Sequence, residues 1–278
     1  MKSRLFLFTF MLVGSYSLLA GNDNLPIGAR SAALSNASVT LSDAWSAHHN
    51  QAGLGFLTNA SAGVYYESRF LLPELALSGA VVALPLANKK GTFGFSYRNF
   101  GYKLYSESKA GLSYSRAFGE DLSFGTQINY QQIRIGDAYG NRNVLTFEMG
   151  VQYRVAKSLM LGAHVFNPNR TKLTEINQDR LPAVIRLGLR YNFSKNLFLS
   201  VETEKDTYNP AVFRAGLEYM AGSVLFLRAG FGTNPFSSAF GFGLLLKNLK
   251  VDFAGSFHPV LGFTPQASLT YDFARKSS

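Results

Sequence analysis

The chain has 278 residues and a formal net charge of +10, with 16% charged residues, 14% aromatic residues and no Cys. Without Cys there is no disulfide framework, no thiolate metal site and no lipid anchor on sulfur. The charged fraction lies well below the roughly 25% of soluble domains, which suits a protein whose outer surface meets lipid.

Residues 1–20, MKSRLFLFTFMLVGSYSLLA, place Lys2 and Arg4 ahead of an apolar run from Leu5 to Gly14, then small residues up to Ala20. That order is expected of a secretory signal peptide, and the run is shorter than the ~20 residues of a spanning helix. Cleavage near Ala20 removes two cations and leaves 25 Lys and Arg against 17 Asp and Glu. A basic excess attracts phosphate. An exported chain with dispersed charges, however, meets outer-membrane lipid and lipopolysaccharide, and no nucleic-acid partner is expected. Beyond the leader no apolar run of about 18 residues occurs, so a closed barrel is the remaining way to cross a membrane.

Residues 21–57 form a second unit. The stretch GARSAALSNASVTLSDAWSAHHNQAGLG, residues 28–55, holds the only Trp and two of the four His, and keeps neither helical nor strand periodicity. Ser42 and Asp43 are predicted to cap a short helix through His49.

From residue 58 the chain alternates. Between 143 and 155, Leu145, Phe147, Met149, Val151, Tyr153 and Val155 share one face, with Thr146, Glu148, Gly150, Gln152 and Arg154 on the other. The same period of two runs through 122–131, 185–193, 213–219 and 249–257. Tight turns are predicted at 88–91, 119–121, 156–158, 194–196, 221–222 and 247–248. Longer connections are predicted near 71–73, 100–103, 137–143, 167–181, 206–210, 233–235 and 259–263. Six short and seven long connections in alternation join fourteen strands. The predicted fold is therefore all-β: a transmembrane antiparallel β-barrel over 58–278, with residues 21–57 plugging its lumen and both termini periplasmic. The final strand SLTYDF, residues 268–273, is similar to the C-terminal insertion signal of such barrels, with ARKSS following it.

Within the plug unit, Gly28, Arg30, Leu34, Asp43, Trp45, Asn50, Ala52, Gly53 and Leu54 belong to a pattern that resembles the N-terminal motif of the PorV/PorQ-type outer-membrane proteins. More distantly the pattern is similar to the Asn-Pro-Ala motif of FadL-type barrels, with Gln51 standing where Pro is usual. The PorV/PorQ resemblance implies a fourteen-stranded barrel acting as a partner-docking subunit of type IX secretion or related machinery. The FadL resemblance implies a channel for hydrophobic compounds. A structural barrel or small-solute pore is the plainest alternative.

Arg98, Glu148, Arg154, Arg186, Arg190, Glu202, Arg214, Glu218 and Arg228 fall on the inward register, where buried charge persists only when paired or hydrated. Pairing between neighbouring strands and with the plug at Asp43 or the Asn50 turn is the favoured reading, and an anion-conducting Arg lining is the alternative. His48, His49, His164 and His258 lack a metal-ligand spacing, and no phosphate-binding loop or nucleophile elbow is present. No metal, cofactor or catalytic residue is expected. The inward register is largely Ser, Gln, Gly and Arg, which favours docking over hydrophobic transport.

Overall fold

The computed structural model describes residues 27–136, 141–172 and 180–273. The expected signal peptide at 1–20 and the chain end at 274–278 lie outside the described residues, as do parts of the connections predicted at 137–143 and 167–181.

Fourteen strands follow one another: β1 (Ser61–Ser68), β2 (Ala76–Pro85), β3 (Thr92–Tyr102), β4 (Tyr105–Phe118), β5 (Leu122–Ile135), β6 (Asn141–Ala156) and β7 (Leu159–Phe166). The second half comprises β8 (Val184–Asn192), β9 (Leu197–Asp206), β10 (Val212–Ala221), β11 (Leu225–Gly232), β12 (Ser237–Leu246), β13 (Leu249–His258) and β14 (Gly262–Asp272). Each pairs antiparallel with its sequence neighbour, and β1 pairs with β14 from Ser61↔Asp272 to Glu67↔Gln266, closing the barrel.

Alternation decides which way each side chain points. In β6 the row Leu145, Phe147, Met149 and Tyr153 is exposed, while Thr146, Glu148 and Gln152 are buried. A barrel in hydrocarbon inverts the usual arrangement: apolar residues wrap the outside and polar ones fill the middle. Exposed aromatics occupy the wall throughout, among them Phe93, Phe124, Tyr191, Phe213, Phe242, Phe253 and Tyr271.

The strand ends β1 and β14 share one rim with the turns at 119–121, 157–158, 222–224 and 247–248, here termed the turn end. The opposite rim is the loop end. Turn lengths alternate less strictly than the spacing of breakers implies. The predicted long connection at 100–103 is a two-residue turn, Lys103-Leu104, because pairing continues through Gly101↔Ser106 to Tyr102↔Tyr105. Above the hydrocarbon, polar side chains no longer oppose a strand, so Asn99 and Gly101 extend β3 instead of ending it. On the turn end, 86–91 is longer than a tight hairpin and includes a 3-10 turn, Ala87–Lys89.

Met149 sits midway along the outward row of β6 and is half exposed. Met149→Arg is expected to destabilise the barrel by about 2–4 kcal/mol, read from urea titration in lipid vesicles.

Candidate functional site

Fourteen strands enclose more volume than their own side chains fill, eight being about enough for a packed interior. Residues 27–57, the lumen segment, occupy that space. Ile27, Ala29, Ala33, Leu34, Val39, Trp45 and Leu54 are all fully or almost fully buried.

The segment contains two short helices, α1 (Ala29–Ala33) and α2 (Ser46–His49), then a 3-10 turn, Gln51–Phe56. The predicted cap is corrected. Helix α2 begins after Trp45, Asp43 Oδ1 accepts from Trp45 N at 2.9 Å, and Ser42 Oγ instead donates to Gln152 at 2.9 Å. A five-residue helix such as α1 is too short for periodicity to reveal.

From α1 the segment runs along the wall in an arc. Leu34 lies against Gly216 and Gly230, Val39 against Gly162 and Gly188, and Ala33 against Gly241. A second arc places Trp45 against Gly63, Leu54 against Gly94, Gln51 and Ala52 against Gly125, and Asn50 against Gly150. A methyl at any of these wall positions would collide with the segment. The inward glycines are thus sites of close approach between segment and wall. They recur strand after strand, a signal the sequence carries but that reads as separate relief of crowding until the segment is in place.

Polar contacts lock the same path. Asn50 Nδ2 donates to Val39 O at 2.8 Å and to Val151 O and Ala163 O on the wall, while its Oδ1 accepts from Ala52 N. Asn50 therefore ties both arcs to β6 and β7. The Trp45 indole donates to Thr270 at 2.9 Å and stacks on His48 with ring centres 6.0 Å apart. Gly28, at φ 110°, takes a left-handed conformation directly beside Trp45, where a side chain would be strained. Gly53 packs against Leu41 O and Ser46.

The predicted lumen charges lie on the inward register, and the structure brings six of the nine into three groups, leaving Arg98, Arg154 and Arg190 outside them. Arg30 of α1 grips Glu218 through two bonds of 2.8 Å and Asp43 through one of 3.0 Å. Arg228 links Glu218 to Asp252, both at 2.6 Å. On the neighbouring sector Glu202 accepts from Arg186 at 2.6 Å and from the amides of Ser38 and Val39 at 2.8 Å, and Arg214 pairs with Glu204 at 3.0 Å. In the third group Glu148 accepts from Lys109 at 2.5 Å, Gln51 at 2.8 Å, Asn129 at 2.9 Å and His164 Nε2 at 3.0 Å. Lys109, Asn129, His164, Glu204 and Asp252 take part in these networks without being among the lumen charges expected from sequence. Arg98 is buried on the same inward face. Arg154 and Arg190 lie towards the turn end, and Arg190 shares the Phe198 ring with Arg30, at 5.5 and 5.8 Å from its centroid. Among the described residues, no group of His, Asp and Glu has the arrangement of a metal site.

Among the described residues, two cavities border the β10–β14 side of the wall. The loop-end cavity, about 330 Å³, is lined by Tyr65, Phe70, Val212 and Arg214 together with Ala32, Ser35 and Asn36 of the segment. The turn-end cavity, about 260 Å³, is lined by Arg30, Trp45, Phe56, Phe226, Arg228 and Lys250. Helix α1 borders both, with Ala32 on the loop-end cavity and Arg30 on the turn-end cavity, and the Trp45 and Tyr65 rings, one lining each, meet at 6.2 Å.

Neither a family model nor a curated protein sequence matches the chain. Solved structures do. The CymD monoaromatic hydrocarbon channel superposes with a TM-score of 0.70 at 11% identity, over 90% of this chain and 98% of that one. A FadL homologue from Pseudomonas aeruginosa gives 0.66 at 14%, over 89% and 98%, and the Ralstonia pickettii toluene transporter TbuX gives 0.65 at 11%, over 89% and 98%. The fold is that of the FadL-type outer-membrane barrels. These FadL-like neighbours are channels and transporters by name, and the architecture fits an outer-membrane protein.

Burial pushes His48 well below its ordinary pKa, reinforced by Lys109 and His49, and lowers His49 to about 4 with Arg186 adding to the effect. Both are therefore neutral in the docked segment, whereas a freed imidazole binds its proton near 6.5. The undocked form takes up more protons between about 6.5 and 4, so docking weakens as pH falls through that window. Trp45 emission is expected to shift to the red on acidification from pH 7 to 4 while the far-ultraviolet strand signal persists. His48→Gln combined with His49→Gln is expected to flatten the shift.

Proposed function

We propose that the chain is an outer-membrane passage for small, largely apolar molecules, which enter at the loop end from outside and leave at the turn end into the periplasm. The observation that carries this reading is the pair of cavities on one side of the wall, facing opposite ends and both bordered by α1. The rest of the segment is pinned by close contacts on successive strands, so a route through the lumen favours the β10–β14 side. There Tyr65, Phe70 and Val212 above, and Trp45, Phe56 and Phe226 below, offer apolar surface within an otherwise polar interior. The combined space suits molecules of monoaromatic size, near the lower end of ordinary ligand pockets at about 300–1,000 Å³. The named cargoes of the FadL-type neighbours, monoaromatic hydrocarbons and toluene, lie in that size class.

The inward register taken as a whole favours docking over hydrophobic transport, but the apolar surface is concentrated in the two cavities, which register alone does not reveal. Toluene flux into vesicles carrying the full chain is expected to exceed that into empty vesicles. Ala239→Trp, which fills the loop-end cavity from β12, is expected to cut that flux severalfold. Flux equal to that of empty vesicles would remove the reading.

A second reading, a docking subunit as in PorV/PorQ-type proteins, draws support from one different feature. Strands β4, β5 and β6 have 14, 14 and 16 residues, against 8 in β1 and 10 in β2. Their loop-end portions carry polar residues on the outer face in two cross-strand rows, Ser108–Gln132–Asn143 and Ser106–Arg134–Asn141. This raised, polar edge is a surface on which an envelope or secretion protein would rest. Gentle detergent extraction is expected to recover such a partner with the native protein, and Gln132→Ala combined with Arg134→Ala to lose it. Recovery of the barrel alone would leave the passage as the sole reading.

A further inference from the structure

Among the described residues, four lumen arginines are matched directly by carboxylate. Arg30, Arg186, Arg214 and Arg228 each lie within 4.0 Å of an Asp or Glu oxygen. Arg190, on the inward face of β8, has no carboxylate at salt-bridge distance among the described residues, and its Nε is enclosed without a hydrogen-bond partner. Its guanidinium lies over the Phe198 ring, 5.5 Å from the centroid. Arg154 on β6 is nearly as free. Its nearest carboxylate is Asp121 in the turn, at 3.8 Å with side chains 38% and 62% exposed, and pairs this exposed contribute little. Arg154 lies over Phe56 of the lumen segment, 5.7 Å from the ring centre.

Register brings the two together. Arg154 pairs with Met160 and Met160 with Arg190, so the three form one row across β6, β7 and β8. Two strand spacings separate the arginines, about 10 Å between Cα atoms, and both long side chains project into the lumen over Met160. An anion placed there accepts from both. Each guanidinium presents parallel N–H donors that match the two oxygens of a carboxylate, and each already has an aromatic ring against it. Phe56 also lines the turn-end cavity, which sets this row beside the inner end of the route.

We propose that Arg154 and Arg190 form a carboxylate-binding site next to the turn-end cavity, and that the cargo carries a carboxylate on a small apolar body, as an aromatic acid does. The oxygens take the guanidinium N–H groups, and the body lies against Phe56 and Phe198. This deepens the passage reading and rests on it. A hydrocarbon without a head group leaves Arg190 unmatched in the lumen, whereas an aromatic acid supplies the missing countercharge as it passes.

The test uses the full chain in lipid nanodiscs, titrated with benzoate and separately with inorganic phosphate, alongside toluene flux in vesicles. Benzoate is expected to bind, with affinity falling about tenfold or more in Arg190→Gln and in Arg154→Gln as charged hydrogen bonds are lost. Arg190→Lys is expected to restore part of the binding, since it keeps the charge without the fork. Arg190 joins none of the ion pairs that hold the segment, so Arg190→Gln is expected to fold normally and to pass toluene. Equal benzoate affinity in the native protein and Arg190→Gln, with toluene flux intact, overturns this inference alone. Phosphate binding as tightly as benzoate also overturns it, because it marks a bare oxyanion site that makes no use of the rings. Absence of toluene flux in the native protein overturns the passage, and the cargo assignment falls with it.

Discussion

Everything in this molecule follows from the closure of the sheet between β1 and β14. In hydrocarbon no water satisfies a free N–H or C=O, and each unpaired group costs several kcal/mol. Pairing from Ser61↔Asp272 to Glu67↔Gln266 removes the two edges that fourteen strands would otherwise expose. Closure at this strand number has a second effect: it leaves a central space that the wall's own side chains do not fill. The lumen segment answers that geometric consequence, and it does so with backbone as much as with side chains. Its close approach is possible because glycine recurs on the inward face, as at Gly94, Gly125, Gly150, Gly188 and Gly216.

Charge is handled in the same way. A carboxylate such as Glu148 or Glu202, removed from water, is stable only when several donors surround it. Glu202 receives two amides of the segment and one arginine of β8, and Glu148 is surrounded by Lys109, Gln51, Asn129 and His164. These networks fix the arc of residues 34–54. The Arg30–Glu218–Arg228–Asp252 chain differs because it borders the turn-end cavity and is partly wet, with the Arg30 side chain 24% exposed. The unfilled space is therefore concentrated on one side of the lumen, where ion pairs meet water. The unmatched Arg190 is the point at which the internal balance of charge is left to be completed from outside.

Much of the wall was legible in the sequence. Period-two alternation in 143–155 and 122–131 gives the correct inward and outward faces, and the spacing of turn residues gives the strand number. Loop-end boundaries were less legible. Residues 100–102 and 141–143 read as connections when strands are expected to be oily outside, yet β3 and β6 extend through them into water, where that requirement lapses. The interior was legible in kind but not in detail. Inward Arg and Glu announce ion pairs, but Arg30 and Glu218 lie 188 residues apart, and nothing local specifies that partnership. Helix α1 and the cavities on either side of it depend on how the segment wraps, which neither periodicity nor motif encodes.

The central claim is that residues 28–57 are built into the barrel, α1 included, through the Arg30 ion pairs and the contact of Ala33 with Gly241. Amide hydrogen exchange on the full chain in nanodiscs tests it most directly. Ala32, Leu34, Ser38, Val39, Ala52 and Gly53 are expected to exchange as slowly as the amides of β5 and β6. If the whole segment exchanged at the rate of a free peptide while the strands stayed protected, the lumen would be open, and the account of its filling, its cavities and its route would be wrong.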